Sequence, residues 1–287
     1  MPWCPPELKQ ALANTTSESI PSRKARRPND PVKLMGADIN FNRSFNRRAE
    51  AGPVPVFSTC TAPGSFSLTF DDGPWQFSSK LDATLGEANV KASFYINGNN
   101  FGCIYDFADV LLERFKNGHL IASHTWSHVH LNEGSYEGIS KQLELLENAM
   151  IKILGVKPLY FRPPYGEFND LVLQVLKDRG YKGLILWSQD SQDSLETPPS
   201  PSDIIQSYRS YPEETIVLNH ETKDFTVDQV VPGVIPIIKE KGLKLLTAPG
   251  CLSLSSNPSD WYESVQPPGS RDESWTCNGT PAPGSFE

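Results

Sequence analysis

Residues 66–74 read Phe66-Ser67-Leu68-Thr69-Phe70-Asp71-Asp72-Gly73-Pro74, an apolar run that stops at two adjacent carboxylates and a turn. A short apolar run ended by Gly-Pro reads as a buried strand. The unit recurs along the chain. Ser93–Ile96, Leu120–Ser123, Leu159–Phe161, Gly183–Trp187, Thr215–Leu218 and Leu243–Leu246 are six further runs of this kind, with helical patterns between most of them. The clearest helical stripe is Tyr136, Ile139, Leu143, Leu146, Met150 and Ile153, apolar residues spaced three and four apart. A second stripe, Val227, Val230, Val231, Val234, Ile235 and Ile238, opens with Thr226-x-x-Gln229, a capping-box pattern. Pro236 is expected to kink it. Strands alternating with helices argue for a parallel sheet. The fold expected is α/β: an irregular (β/α) barrel, with a doubly wound open sheet as the alternative.

The flanks differ from this core. Residues 1–56 are rich in Pro, Asn, Ser and Arg and carry the basic run Arg23-Lys24-Ala25-Arg26-Arg27. They read as an irregular arm, or as a pro-segment cut after Arg26-Arg27 or Arg47-Arg48. Residues 252–287 read as an irregular tail packed on the main domain, with Trp261 and Trp275 as anchors. The domain itself is expected over 57–251.

Composition narrows the function classes. Among 287 residues the hydrophobic fraction is 38%, enough for a core, which excludes a wholly disordered chain. The net charge of −8 argues against nucleic acid as a partner. No apolar run approaches the ~20 residues that a membrane span needs. A monomer is expected. Three N-glycosylation sequons begin at Asn14, Asn42 and Asn278, and five scattered cysteines form no CxxC pair. A secreted or cell-wall protein whose signal peptide is not part of this chain is expected.

Polar residues follow the strands. They are Asp71-Asp72-Gly73-Pro74 after the first, His124-Thr125-Trp126-Ser127-His128 after the third and Arg162-Pro163-Pro164-Tyr165-Gly166 after the fourth. Ser188-Gln189-Asp190-Ser191-Gln192-Asp193 follows the fifth and Asn219-His220 the sixth. In parallel α/β folds, sites form at the carboxyl ends of strands. Each motif also has a plain reading: capping aspartates, a satisfied histidine, loop punctuation, solvated carboxylates. Asp71 and Asp72, pointing in different directions, could divide into a base and a metal ligand. His124 and His128, four apart, would face one side of a helical turn and could share a divalent ion with Asp72, leaving an open position for water. Arg162 could hold a carboxylate in a bidentate contact while its stiff loop aims an amide N–H into the site. His119 and His130 are not expected as ligands.

Four of these motifs together resemble those of the polysaccharide deacetylases, the NodB-homology enzymes of carbohydrate esterase family four. They are Thr69-Phe70-Asp71-Asp72-Gly73-Pro74, His124-x-x-x-His128, Arg162-Pro163-Pro164-Tyr165-Gly166 and Leu218-Asn219-His220. They stand in the family's order across about residues 57–250. Within the family, Asn97-Gly98-Asn99-Asn100-Phe101-Gly102-Cys103 and the flanking Cys60 and Cys251 look like secreted fungal chitin deacetylases.

The resemblance implies an irregular (β/α)7 barrel and metal-dependent removal of N-acetyl groups from amino sugars. Asp72, His124 and His128 would bind zinc, with cobalt or another divalent ion also compatible with the ligand set. Asp71 would be the general base, oriented by Arg162. The Tyr165 N–H would stabilise the oxyanion. His220 would be the general acid, tuned by Asp193. Leu218 would touch substrate. The implied partner is chitin or another acetylated polysaccharide or oligosaccharide. Cys60 and Cys251 would form a disulfide, leaving Cys103 without an obvious partner and Cys4–Cys277 as a guess. The sequence has Asp193-Ser194 where the family's fourth motif usually ends Asp-Trp. That Trp walls the acetyl pocket in the family; either Trp187 or Trp126 replaces it, or the acyl group differs, as on O-acetylated xylan or peptidoglycan, or the chain is a catalytically weak carbohydrate-binding surface protein.

Overall fold

The computed structural model describes residues 53–287. The basic run, both dibasic pairs, Cys4 and the sequons at Asn14 and Asn42 lie outside the described residues. The strands in chain order are β1 (Val56–Phe57), β2 (Ser65–Asp71), β3 (Ser93–Ile96), β4 (Leu120–Ser123), β5 (Val156–Pro158), β6 (Tyr160–Phe161), β7 (Gly183–Ile185), β8 (Gln189–Asp190), β9 (Thr215–His220), β10 (Lys244–Leu245) and β11 (Tyr262–Ser264). The helices are α1 (Ser78–Glu87), α2 (Ala108–Lys116), α3 (Tyr136–Leu154), α4 (Asp170–Asp178), α5 (Pro201–Ser210), α6 (Val231–Glu240) and α7 (Ala248–Cys251).

Each of the seven expected strands is present, and all pair in parallel in one curled sheet ordered β1-β7-β6-β4-β3-β2-β9-β8, with β10 added against β2 outside that order. No pairing joins β1 to β8 among the described residues, so the sheet is a half-open barrel. β2 is its axis. Every residue of β2 is buried, as a strand covered on both faces requires. β9 pairs along one edge of β2, while the other edge is divided between β10 at Ser65–Phe66 and β3 at Thr69–Asp71. Asp71 is thereby in register with His220 and with Tyr95. Parallel register thus sets the polar strand ends at one level.

α3 follows the expected stripe except at its first residue, Tyr136, which is exposed. Ile139, Leu143, Leu146, Met150 and Ile153 are fully buried, and burying each such side chain contributes about 1.5–3 kcal/mol. The Ser135 hydroxyl accepts the Gly138 N–H at its start, and Gly155, at φ 78°, ends it in the left-handed conformation that glycine tolerates.

The second stripe departs from expectation at its start. Thr226–Val230 is a π-turn, and α6 proper begins at Val231. Thr226 caps nothing: its buried hydroxyl donates to Asp193 Oδ2 at 2.8 Å. Pro236 lies within α6, which continues to Glu240.

The tail is more ordered than its composition suggests. β11 pairs antiparallel with β5, and Trp261 and Tyr262 are buried. The cysteine pattern also needs correction. Cys60 and Cys251 are joined, but Cys103 has a partner, and it is Cys277. A Cys4–Cys277 bond is excluded by that pairing. Connectivity of this kind depends on which loops meet in space, which spacing does not encode.

Candidate active site

The carboxyl ends of β2, β4, β6 and β9 and the segments that follow them bring six of the predicted residues together: Asp71, Asp72, His124, His128, Arg162 and His220. Asp71 ends β2, is 2% exposed, and accepts from Arg162 Nη1 at 2.8 Å. Arg162 is fully buried and fixed from every side. It donates to Thr69 Oγ1 at 2.7 Å, to the Ile185 carbonyl at 2.9 Å and to the Leu186 carbonyl at 2.8 Å, and its guanidinium lies 3.8 Å over the Tyr95 ring. A planar donor fork with each arm committed holds its carboxylate in one orientation. The contact to Asp71 is one-armed, not the bidentate one anticipated.

Asp72 has φ 72°. Along a regular strand the two aspartates would face opposite ways. The left-handed turn at Asp72 instead leaves both within reach of one imidazole: His124 Nε2 lies 3.7 Å from Asp71 Oδ2 and 3.6 Å from Asp72 Oδ1. His128 Nε2 is 3.2 Å from Asp72 Oδ1.

The two histidines do not sit on a helical turn. Residues 124–130 are an irregular loop in which Thr125 has φ 70° and His128 φ 55°. The expected spacing holds for a different reason. Thr125 Oγ1 accepts the His128 N–H at 3.0 Å, and the Asn97 amide donates to the carbonyls of His124 and Thr125. Asn97, which directly follows β3, enters the sequence reading only as part of the Asn97–Cys103 motif, with no role at the site.

This group fits a divalent cation. Donor atoms of Asp72, His124 and His128 all lie within 4.8 Å of one another. His124 Nδ1 contacts the Arg162 carbonyl at 2.8 Å. That contact commits the ring proton to Nδ1 and leaves the Nε2 lone pair free. Burial pushes His124 well below the ordinary histidine range and also lowers His128, keeping both neutral as ligands must be. Asp72 Oδ1 is buried with no hydrogen-bond donor, an orphan that a cation would satisfy.

His220 ends β9 opposite Asp71. Its Nδ1 lies 2.7 Å from Asp193 Oδ1, and its backbone N–H donates to Asp193 Oδ2 at 2.8 Å. Burial alone would lower the imidazole pKa. The Asp193 charge and hydrogen bond outweigh it, with Asp72 and Asp71 adding, and raise it to about 10. Burial likewise acts to raise Asp193, but His220 and the Thr226 hydroxyl carry it below the usual carboxylate range. Asp193 is therefore no solvated loop residue: it is 1% exposed. Asp71 is pushed up to about 6 by burial, partly offset by Arg162 and His220.

A cavity of about 430 Å³ opens over these groups, walled by Tyr165, Trp187, Asp190, Ser194, Leu218 and Lys223. Tyr165 and Leu218, both singled out in the sequence, line it. Tyr165 itself has φ 59°, and its ring stacks on His130 at 4.0 Å and meets the His128 ring edge-on at 4.6 Å. Trp126 is not in the cavity. It is 1% exposed, packs over Gly98 and donates Nε1–H to Thr280 Oγ1 at 3.0 Å. The positive φ at Thr125 turns it away. Of the two tryptophans considered, Trp187 alone lines the site.

Behind the site is a charge cluster that the sequence did not announce. Glu221, directly after His220, is fully buried. Its oxygens accept from Arg114 Nη1 at 2.9 Å and Nη2 at 2.5 Å, and from the Ser78 hydroxyl. Arg114 also donates Nε–H to Asp82 at 2.8 Å and lies 3.6 Å over the Phe94 ring. A Cβ on Gly73 would meet Glu221 Oε1 at 1.7 Å. The turn after Asp72 thus rests directly on the residue after His220.

The polysaccharide deacetylase pattern matches residues 58–184. A chitin deacetylase of a Pestalotiopsis species is 36% identical over 226 residues, covering 77% of this chain and 74% of that protein. The chain belongs to the polysaccharide deacetylase family. A second relative in the family, the chitin deacetylase of Colletotrichum lindemuthianum, is 31% identical over 240 residues, 80% of this chain and 94% of that one. The solved structure of the chitin deacetylase from that fungus superposes with TM-score 0.70 at 29% identity, covering 75% of this chain and 98% of the other. These deacetylases share the curled parallel sheet described above, and the fold expected from the sequence is the family's fold.

Proposed function

We propose that this chain hydrolyses the N-acetyl groups of chitin or chitin oligomers, releasing acetate and leaving glucosamine units. The observation that carries the reading is the convergence of two differently poised acid–base groups on one cation-fitting donor set. Asp71 is tied to Arg162, and His220 to Asp193, beside the donor set of Asp72, His124 and His128.

A divalent cation held by Asp72, His124 and His128 would supply Lewis-acid polarisation of the amide carbonyl and a lowered pKa for nearby water. Zinc suits two imidazoles and one carboxylate, and cobalt or another divalent ion shares the preference. The remaining chemistry belongs to this chain. Asp71, with Oδ1 engaged by Arg162, accepts the proton of the attacking water. The Tyr165 N–H donates to the oxygen on which charge develops, an interaction whose removal typically costs about 2.7–4 kcal/mol of transition-state stabilisation. His220, protonated and held at Nδ1 by Asp193, gives its proton to the departing nitrogen. An amine cannot leave without one. Trp187 and Leu218 supply apolar surface for the acyl methyl where the family's usual tryptophan is replaced by Ser194. The two disulfides and the sequon at Asn278 suit a secreted protein.

Ser194 and Lys223 at the cavity wall favour a second reading, in which the acetyl group sits on another glycan, such as acetylated xylan or peptidoglycan. Acetate release from GlcNAc pentamer or hexamer by metal-stripped protein, with and without zinc, tests the first. Zinc-dependent release supports it. Release from acetylated xylan alone moves the reading to the second glycan class, and release from neither substrate with any divalent ion overturns both.

A further inference from the structure

We infer that the segment Cys277–Glu287 is a strap that holds the His124–His128 loop in its ligand-presenting shape, making Ser127, Gln142 and Gly284 positioning residues of the site. The inference rests on the reading of Asp72, His124 and His128 as cation ligands.

Ser127 lies between the two histidines, and the strap closes on it from both sides. Its carbonyl accepts the Gly284 N–H at 2.6 Å, and its hydroxyl donates to the Ser285 carbonyl at 2.5 Å. Gln142 of α3 completes the clamp. Its amide nitrogen donates to the Ser285 carbonyl at 3.1 Å and to Ser127 Oγ at 2.8 Å, while its amide oxygen accepts the Ser127 N–H at 2.9 Å. Ser127 and Gln142 are both fully buried.

Three further contacts anchor the strap. Cys277 is bonded to Cys103, Thr280 accepts from the Trp126 indole, and the Pro281 carbonyl accepts from Asn99 Nδ2 at 2.9 Å. The 98–99 backbone in turn donates two N–H groups to the Trp126 carbonyl. Phe286 packs over Gly134 and Gly138 at the start of α3.

The loop needs such support. Thr125 and His128 both have positive φ, a conformation that a non-glycine residue keeps only where the surroundings over-determine it. Between the two histidines, neither Trp126 nor Ser127 carries a charge. Neutral hydrogen bonds from a segment more than 150 residues away in sequence supply the restraint. The strap therefore acts on the histidines as outer partners act on metal ligands, by fixing where the lone pairs point.

Gly284→Pro removes the N–H given to Ser127 and forbids φ 75°, at an exposed position where an added Cβ meets nothing within 4 Å. Ser127→Ala is the second variant. Competition titration with a chromophoric chelator should show zinc binding weakened about tenfold or more in Gly284→Pro. The thermal midpoint of the metal-free protein should stay close to wild type. Hydrogen exchange of the Ser127 and His128 amides in the metal-free proteins reads the loop without any ligand. Faster exchange in both variants supports the strap. Unchanged exchange in both overturns it, as does unchanged zinc affinity in a wild type that binds zinc. A wild type that binds no zinc overturns the ligand reading instead, and exchange alone then decides the strap.

Discussion

The two flanks of the site are held by different physics. On the Asp71–His220 flank the supports are buried charges: Arg162 on Asp71, Asp193 on His220, and Arg114 on Glu221 just behind. On the His124–His128 flank they are neutral, drawn from Asn97, Gln142 and the strap. The difference follows from what each flank must do. Acid–base groups need their proton affinities shifted, and only nearby charge or burial shifts them far. Histidine ligands need to stay unprotonated and be aimed. A charged neighbour would disturb the first requirement without serving the second.

The comparison is broken most severely by removing one residue from each flank. Asp72→Ala should lose bound metal and acetate release together. Asp71→Asn should retain metal, measured by elemental analysis, while turnover falls about 10²–10⁴-fold, the usual weight of a positioned general base. Normal turnover in Asp71→Asn would remove Asp71 from that role.

Next in size is His220→Ala. Amide substrates need a protonated leaving nitrogen, whereas activated acetate esters carry leaving groups that depart unaided. Loss should therefore be greater on the amide, and equal loss on both substrates would argue that His220 acts otherwise.

The charge flank is also a stability element. Glu221→Ala strips Arg114 of its bidentate partner, and breaking a buried pair from one side typically costs 3–5 kcal/mol. Urea unfolding measures it. A loss near zero would mean that Asp82 alone satisfies Arg114.

The effect that is smallest at neutral pH, and grows only in acid, lies on neither flank. His119 accepts the Ala92 N–H at Nδ1 and is pushed down to about 3 by burial, with Arg114 and Lys91 adding. The unfolded chain binds that proton near pH 6.5, so the stability is present above 6.5 and is lost as pH falls towards 3, at up to about 1.4 kcal/mol per pH unit. His119→Gln should flatten this limb of the stability profile. An unaltered slope would assign acid sensitivity to other groups.

Much of this molecule is legible one residue at a time. The seven apolar runs become seven of the eleven strands because short runs rich in apolar residues suit strands covered on both faces, as β2, β3 and β4 are, although β10 at the margin keeps Lys244 exposed. The polar strand ends are legible for a related reason: parallel register forces them to a common level. What stays hidden is whatever depends on two distant segments meeting. Ser127 and Gln142 are ordinary polar residues until the tail arrives over them. Arg114 reads as a helix charge, and only the packing of α2 on the sheet makes it a buried partner. Trp126 beside a ligand reads as a pocket wall, and a single left-handed residue before it sends it elsewhere. The cysteine partners are hidden in the same way.

Gly73 carries a consequence for how this family can vary. The glycine of Asp71-Asp72-Gly73-Pro74 is required less by its own backbone than by the Glu221 carboxylate occupying the space of its missing side chain. The two positions are therefore heritable only as a pair. A lineage that enlarges residue 73 must first shorten residue 221, and one that shortens residue 221 leaves Arg114 with a charge to lose. Relatives that differ at one of these three positions should differ at another, a pattern of joint replacement between residues that stand far apart in the chain.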